Sequence, residues 1–273
     1  MPGMQEPTTN EPLVVPAGGD VGNPLLDAFR DAMALGTTVT ETTVTETTVP
    51  ETTGFGERRA EAIARYGFAI PTEAALAVIR HHSPAGVVEI GAGTGYWAHL
   101  LQQRGVDVVA FDPEPAPSPQ NTWFAGTPPW HPVHRGDHDT VSAHPERTLL
   151  IVWPTKDETW AATAAQRFHD AGGRCLVFVG EGPGGRTGDA TFHAVLGELA
   201  TCLHCAYGSL SSPCTCGVEP QWQRTQTVEL PHWPGFSDDL HVYAAASPRG
   251  GAPRRFRRRY GRRPATNARG AGR

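Results

Sequence analysis

The stretch Val87-Val88-Glu89-Ile90-Gly91-Ala92-Gly93-Thr94-Gly95 decides the fold. A short apolar run suited to a buried strand, broken by one acid, enters three glycines two residues apart. A helix then runs from Gly95 to Arg104 and stops at Gly105. Strand, glycine turn and helix in this order place a ligand at the carboxyl end of a strand in an open α/β sheet. Glycine in the turn permits dihedrals that other residues avoid and lets ligand atoms approach the backbone.

Outward from this stretch, short apolar runs alternate with amphipathic ones between about residues 55 and 246, the pattern of βαβ units. The spacing predicts strands over Gly86–Ile90, Asp107–Phe111, Thr148–Val152 and Arg174–Val179, with a shorter run near Val133. Pro71-Thr72-Glu73 opens a helix that Ser83-Pro84 ends, and Trp160 to Ala171 forms another before Gly172-Gly173. The expected fold is a Rossmann-like, doubly wound, mostly parallel sheet of about seven strands with helices on both faces.

The glycine loop is selective about ligands. Its last two glycines are two apart, whereas the dinucleotide fingerprint separates them by three, and no Gly-Lys-Ser/Thr follows to cradle a triphosphate. Glu89 beside the loop would repel a pyrophosphate and attract a ligand bearing an ammonium or sulfonium. S-adenosylmethionine carries both charges and no phosphate. Asp112, 21 residues after Gly91 at the end of the next strand, is placed to accept hydrogen bonds from ribose hydroxyls. Asp137, after Gly136, could meet the adenine amino group.

On these residues the chain resembles the class I S-adenosylmethionine-dependent methyltransferases over about residues 66–245. Glu89-x-Gly91-x-Gly93-x-Gly95 matches their glycine motif and Asp112 their ribose-binding acid, while Trp153-Pro154 falls where the family lines its acceptor site. The likeness is strongest to a little-characterised bacterial-type branch. It rests there on Phe68-Ala69-Ile70-Pro71, Tyr96-Trp97, Gly180-Glu181-Gly182 with Gly184-Gly185, and Trp233-Pro234-Gly235 before a final strand. The resemblance implies S-adenosylmethionine held by Glu89, Gly91, Gly93, Gly95, Tyr96, Trp97, Asp112 and Asp137, and it implies no acceptor.

Trp153-Pro154-Thr155-Lys156 stands where methyltransferases acting on nucleobase amino groups carry Asp/Asn-Pro-Pro-aromatic. The polar first residue, second proline and aromatic end are missing, which speaks against base methylation; a small-molecule acceptor is the expectation. Trp153 would stack on the acceptor, on adenine, or simply in the core. Candidate bases near strand ends are His134, Glu181, His138 and Asp157, needed only if the acceptor must lose a proton.

The flanks read differently. Of 273 residues only 39% are hydrophobic and 19% charged, while Gly (31) and Pro (25) are abundant, a dilution that points to a folded middle and unfolded ends. Residues 1–54, with Thr-Thr-Val recurring at five-residue spacing from Thr37, and residues 247–273 are expected to be disordered and to contribute no packed face. The net charge of -5 conceals a tail, residues 249–273, holding ten arginines and no acid. Its arginines and two aromatics suit nucleic acid, and a solvated tail or one folded back on the acidic body is the alternative. The alternative function is accordingly a non-catalytic Rossmann-like module whose tail engages nucleic acid or an acidic partner. Cys202, Cys205, Cys214 and Cys216 could supply four thiolates to a structural zinc, or stand as free thiols in an insertion. Five cysteines so distributed, with no apolar run near the ~18 residues a membrane span needs, predict a cytoplasmic protein.

Overall fold

A computed structural model describes residues 22–37, 53–199 and 218–246. Three helices, α1 (Pro24–Thr37), α2 (Thr53–Tyr66) and α3 (Glu73–His82), precede the first strand, β1 (Val87–Ile90). Helix α4 (Tyr96–Gln103) and strands β2 (Val108–Asp112), β3 (Val133–Arg135) and β4 (Thr148–Val152) follow. The chain continues through α5 (Trp160–Asp170), β5 (Cys175–Gly180), α6 (Ala190–Val195), β6 (Trp222–Glu229) and β7 (Asp239–Ala245). The strands form one sheet in the order β3-β2-β1-β4-β5-β7-β6. Strands β3, β2, β1, β4 and β5 pair in parallel, and β7 runs antiparallel to β5 and β6. The Rossmann-like, mostly parallel seven-stranded sheet predicted from the glycine loop is therefore what the chain builds.

Strand β1 lies in the interior, buried along all four residues. Alternation sends Val87, Val108, Ala110, Leu150 and Val177 into a core with Leu76, Leu100 and Leu101 of α3 and α4. Their neighbours Val88, Ile90, Leu149, Ile151 and Phe178 enter a second core with Ala165 and Phe168 of α5 and Phe192 of α6. Glu89 has the parity of Val87, so its side chain joins the α4 face of the sheet, as Asp112 does with the parity of Ala110.

Two features depart from the sequence reading. Within the stretch expected to be disordered, α1 is packed: Leu25, Leu26 and Ala32 are buried, and Phe29 meets Trp233 edge-on at 5.2 Å. The boundary at residue 54 is thus too late, because an amphipathic helix only fourteen residues long is enough to cover Trp233. Strand β6 escaped notice because most of its residues are polar and exposed, as suits the edge of a sheet. Residues 38–52 of the threonine repeat, the tail 247–273 and Cys202, Cys205, Cys214 and Cys216 lie outside the described residues.

Asn23 fastens α1 to the body. Its buried amide donates to Pro71 O at 2.7 Å, and its carbonyl accepts from Tyr96 Oη at 2.8 Å and Leu26 N at 3.2 Å. Asn23→Ala leaves several of these partners unpaired. The expected loss is about 1–3 kcal/mol in urea denaturation, and a change near zero would mean α1 is not held through this residue.

Candidate functional site

A cavity of about 660 Å³ opens over the carboxyl ends of β1, β2 and β4, where the sheet switches direction between successive crossovers. Its floor is the glycine loop. Gly91, Gly93 and Gly95 have φ of 69°, 55° and 71°, in the left-handed region that disfavours side chains. A second reason for glycine is contact. A Cβ on Gly93 would lie 2.5 Å from the ring of Phe124, and one on Gly91 would lie 2.8 Å from the ring of Trp160. Close approach by two aromatic side chains thus requires glycine at 91 and 93.

The buried Asp112 carboxylate ties the loop to β2. Oδ2 accepts from Gly93 N at 3.0 Å and Oδ1 from Glu114 N at 2.9 Å. Burial raises its pKa, and the two backbone hydrogen bonds oppose the rise.

Glu89 is buried in the same cavity wall, and its Oε2 has no hydrogen-bond partner. Burial pushes its pKa up to about 8; a backbone hydrogen bond from Ala98 acts the other way, and nearby Asp112 adds to the rise. A carboxyl at such depth, with one oxygen unpaired, holds its proton more tightly than an exposed one.

Asn121 shapes the segment between β2 and β3 that roofs the cavity. Its Oδ1 accepts from Trp123 N and Phe124 N, and its Nδ2 donates to Glu114 O at 2.6 Å. This turn sends Phe124 down onto Gly93 and leaves Trp123 at the cavity, 56% exposed. Over β4, Trp153 adopts φ 51°, which costs a bulky residue roughly 1–2 kcal/mol. A parallel stack on Phe68 at 4.5 Å and a 2.7 Å hydrogen bond from Nε1 to Asp238 offset that strain. Asp238 is itself buried, which raises its pKa to about 6.

Of the residues singled out in the sequence, Glu89, Gly91, Gly93, Trp97, Asp112, Asp137, His138 and Trp153 all line this cavity. Others are drawn elsewhere. Tyr96 is buried, its hydroxyl bound to Asn23, and Gly95 packs under His131 and Val133. Pro154 contributes its carbonyl to Gly188 N at 2.9 Å. His134 is exposed on β3 against Phe111. The Glu181 carboxylate is buried and engaged by Arg186 N at 2.6 Å, Arg186 Nη1 at 3.1 Å and Ser237 N at 3.1 Å. It orders the loop after β5. The sequence reading missed Trp123, Phe124, Trp160 and Arg186 as lining residues. Two adjacent aromatics in a polar, proline-rich connection were the available signal for the first two. Among the described residues no three His, Cys, Asp or Glu side chains cluster so as to hold a metal, and no helix is long and apolar enough to cross a membrane.

Among similar solved structures is magnesium protoporphyrin IX methyltransferase from Synechocystis PCC 6803 with bound SAM, at 11% identity and TM-score 0.40, covering 81% of this chain and 91% of that one. Burkholderia thailandensis 1,6-didemethyltoxoflavin-N1-methyltransferase aligns at 14% identity and TM-score 0.38 over 86% and 94% of the two chains. The N-methyltransferase NodS from Bradyrhizobium japonicum WM9 aligns at 15% identity and TM-score 0.34 over 63% and 94%. No family model matches the chain, and no curated protein matches it significantly. Its chemistry has to be read from the cavity.

A pH titration isolates Glu89. A carboxyl whose pKa is higher folded than unfolded contributes fully below the unfolded value, here 4.5, and that contribution is lost as pH rises toward about 8. Glu89→Gln should therefore gain on the parent by up to ~1.4 kcal/mol per pH unit across this window in chemical denaturation. A stability difference independent of pH would show that Glu89 titrates normally.

Proposed function

We propose that the chain is an S-adenosylmethionine-dependent methyltransferase acting on a small-molecule acceptor. The observation that carries this reading is the set of carboxyl groups around the glycine loop: Glu89, whose buried Oε2 has no partner, lines the cavity with Asp112 and Asp137, and with Glu114, which Arg135 already pairs. Such a site suits a nucleoside with a cationic side chain and disfavours a pyrophosphate. The residues present fit that cofactor. Glu89 has an unpartnered buried oxygen for a cationic neighbour, and Asp112 has acceptor capacity beyond its two backbone bonds for ribose hydroxyls. Asp137 would meet the adenine amino group, and Trp97 and Phe124 give apolar walls for the base.

When bound, the cofactor supplies an electrophilic methyl group on a sulfonium; the acceptor's lone pair forms the new bond as the C–S pair returns to sulfur. Residues of the chain align the acceptor and exclude water, the main requirement for a transfer that is already downhill. Phe68, Trp123 and Trp153 form an apolar wall for this purpose. His138 is the candidate base inside the cavity for an acceptor that must lose a proton, in preference to His134 and Glu181. Aromatic walls and a volume within the usual ~300–1,000 Å³ range of ligand pockets favour a small acceptor.

Calorimetry with S-adenosylhomocysteine at pH 7 in two buffers of different ionisation enthalpy tests the cofactor. Glu89, mostly protonated before binding, should release roughly one proton to the buffer as the ligand's ammonium settles nearby. Glu89→Gln should bind more weakly and release none. Absence of binding at millimolar ligand, or equal affinity for NAD, would overturn the assignment.

A further inference from the structure

The half of the cavity beyond the glycine loop has a chemistry of its own. Phe124 and Trp160 lie against Gly93 and Gly91, within reach of a nucleoside on the loop. Beside the end of β4, Trp153 stacks on Phe68, which reaches back to Phe124 edge-on at 6.4 Å and meets Trp123, largely exposed, edge-on at 5.4 Å. The four acids around the glycine loop project from β1, from the end of β2 and from the connections after β2 and β3, whereas both cations lining the cavity, Lys156 and Arg186, come from the loops after β4 and β5.

Those two loops are joined: Gly188 N donates to Pro154 O at 2.9 Å and Asp157 N to Gly188 O at 3.1 Å. Lys156 and Arg186 are thereby held on neighbouring backbones. Arg186 uses Nη1 for both of its protein acceptors, Glu181 Oε1 at 3.1 Å and Gly235 O at 2.6 Å. Among the described residues nothing engages its Nε and Nη2, the edge whose parallel N–H groups match the two oxygens of a carboxylate. Its guanidinium is steadied 4.4 Å from the Phe236 ring centroid, which Arg59 approaches at 4.2 Å. Lys156 has no hydrogen-bond or ion-pair partner among the described residues. Opposing them are Glu158, exposed in the same cavity, and Glu181, whose carboxylate already has its own donors.

We infer that the acceptor is a planar aromatic carboxylate, its ring against Trp123 and the Phe68–Trp153 stack and its carboxylate met by Arg186 and Lys156. This inference rests on the methyltransferase reading. A neutral ring would use the aromatic wall alone, and a cationic one would face two like charges. The cavity is thus polarised, with an acidic end for a cationic donor and a basic end for an anionic acceptor.

Three isosteric probes test it: 2-naphthoate, 2-naphthylmethanol and 2-naphthylmethylamine, titrated by tryptophan fluorescence into the full chain saturated with S-adenosylhomocysteine. The naphthoate should bind at least about tenfold more tightly than the alcohol, and the amine most weakly. Arg186→Gln should lower naphthoate affinity about tenfold. Because Arg186 also supports the loop through Glu181, Lys156→Glu at an exposed, unpartnered position is the second variant. It should weaken naphthoate and strengthen the amine. Equal binding of naphthoate and alcohol, or naphthoate affinity unchanged in both variants, would overturn the inference while leaving the cofactor reading intact. Failure of S-adenosylhomocysteine to bind the parent would overturn both.

Discussion

Two hydrogen bonds to one buried carboxylate set the geometry on which the site depends. Asp112 receives Gly93 N–H from the glycine loop and Glu114 N–H from its own connection, so the loop after β1 and the segment leaving β2 are fixed to the same side chain. From Glu114 the chain runs into the Asn121 turn, which lowers Phe124 onto Gly93 and sets Trp123 over the cavity. Floor and roof therefore share one anchor. Because the anchor is buried, its bonds are strengthened by the low surrounding dielectric, and any break would leave a carboxylate short of donors.

Burial has the opposite effect on Glu89, which sits two strand residues from the loop with an unpaired oxygen. An apolar residue there would pack better between Ala110 and Leu150 of the flanking strands. A carboxyl in a fully buried strand costs stability unless a donor or a cation offsets it, and the neighbouring acid Asp112 adds to that cost. Lys156 and Arg186 invert the sign at the far end of the cavity, so donor and acceptor would be sorted by charge before any shape is matched.

Much of the fold was legible because the parallel strands are short apolar runs separated by glycine stops. The glycine-loop end of the cavity was legible because Glu89, Gly91, Gly93 and Asp112 owe their places to local sequence, at the end of a strand or in the turn after it. What was not legible depends on contacts between distant segments. The burial of α1 follows from Phe29 reaching Trp233, more than two hundred residues away. Glu181 and His134 have the right chemistry at the right strand ends, yet the Arg186 loop occupies the first and β3 turns the second outward. Trp153 kept its place over the cavity, but its stacking partner Phe68 comes from the connection before α3, a pairing that no periodicity encodes.

Everything proposed for this cavity depends on the glycine loop and its acids holding a nucleoside whose side chain bears an ammonium group. A crystal structure of the chain with S-adenosylhomocysteine tests it most directly. The ribose should lie on Asp112 and the amino-acid end toward the Glu89 side of the loop, with Arg186 and Lys156 left clear. Ligand density confined to the β4 and β5 loops, or a cavity empty at saturating ligand, would contradict it.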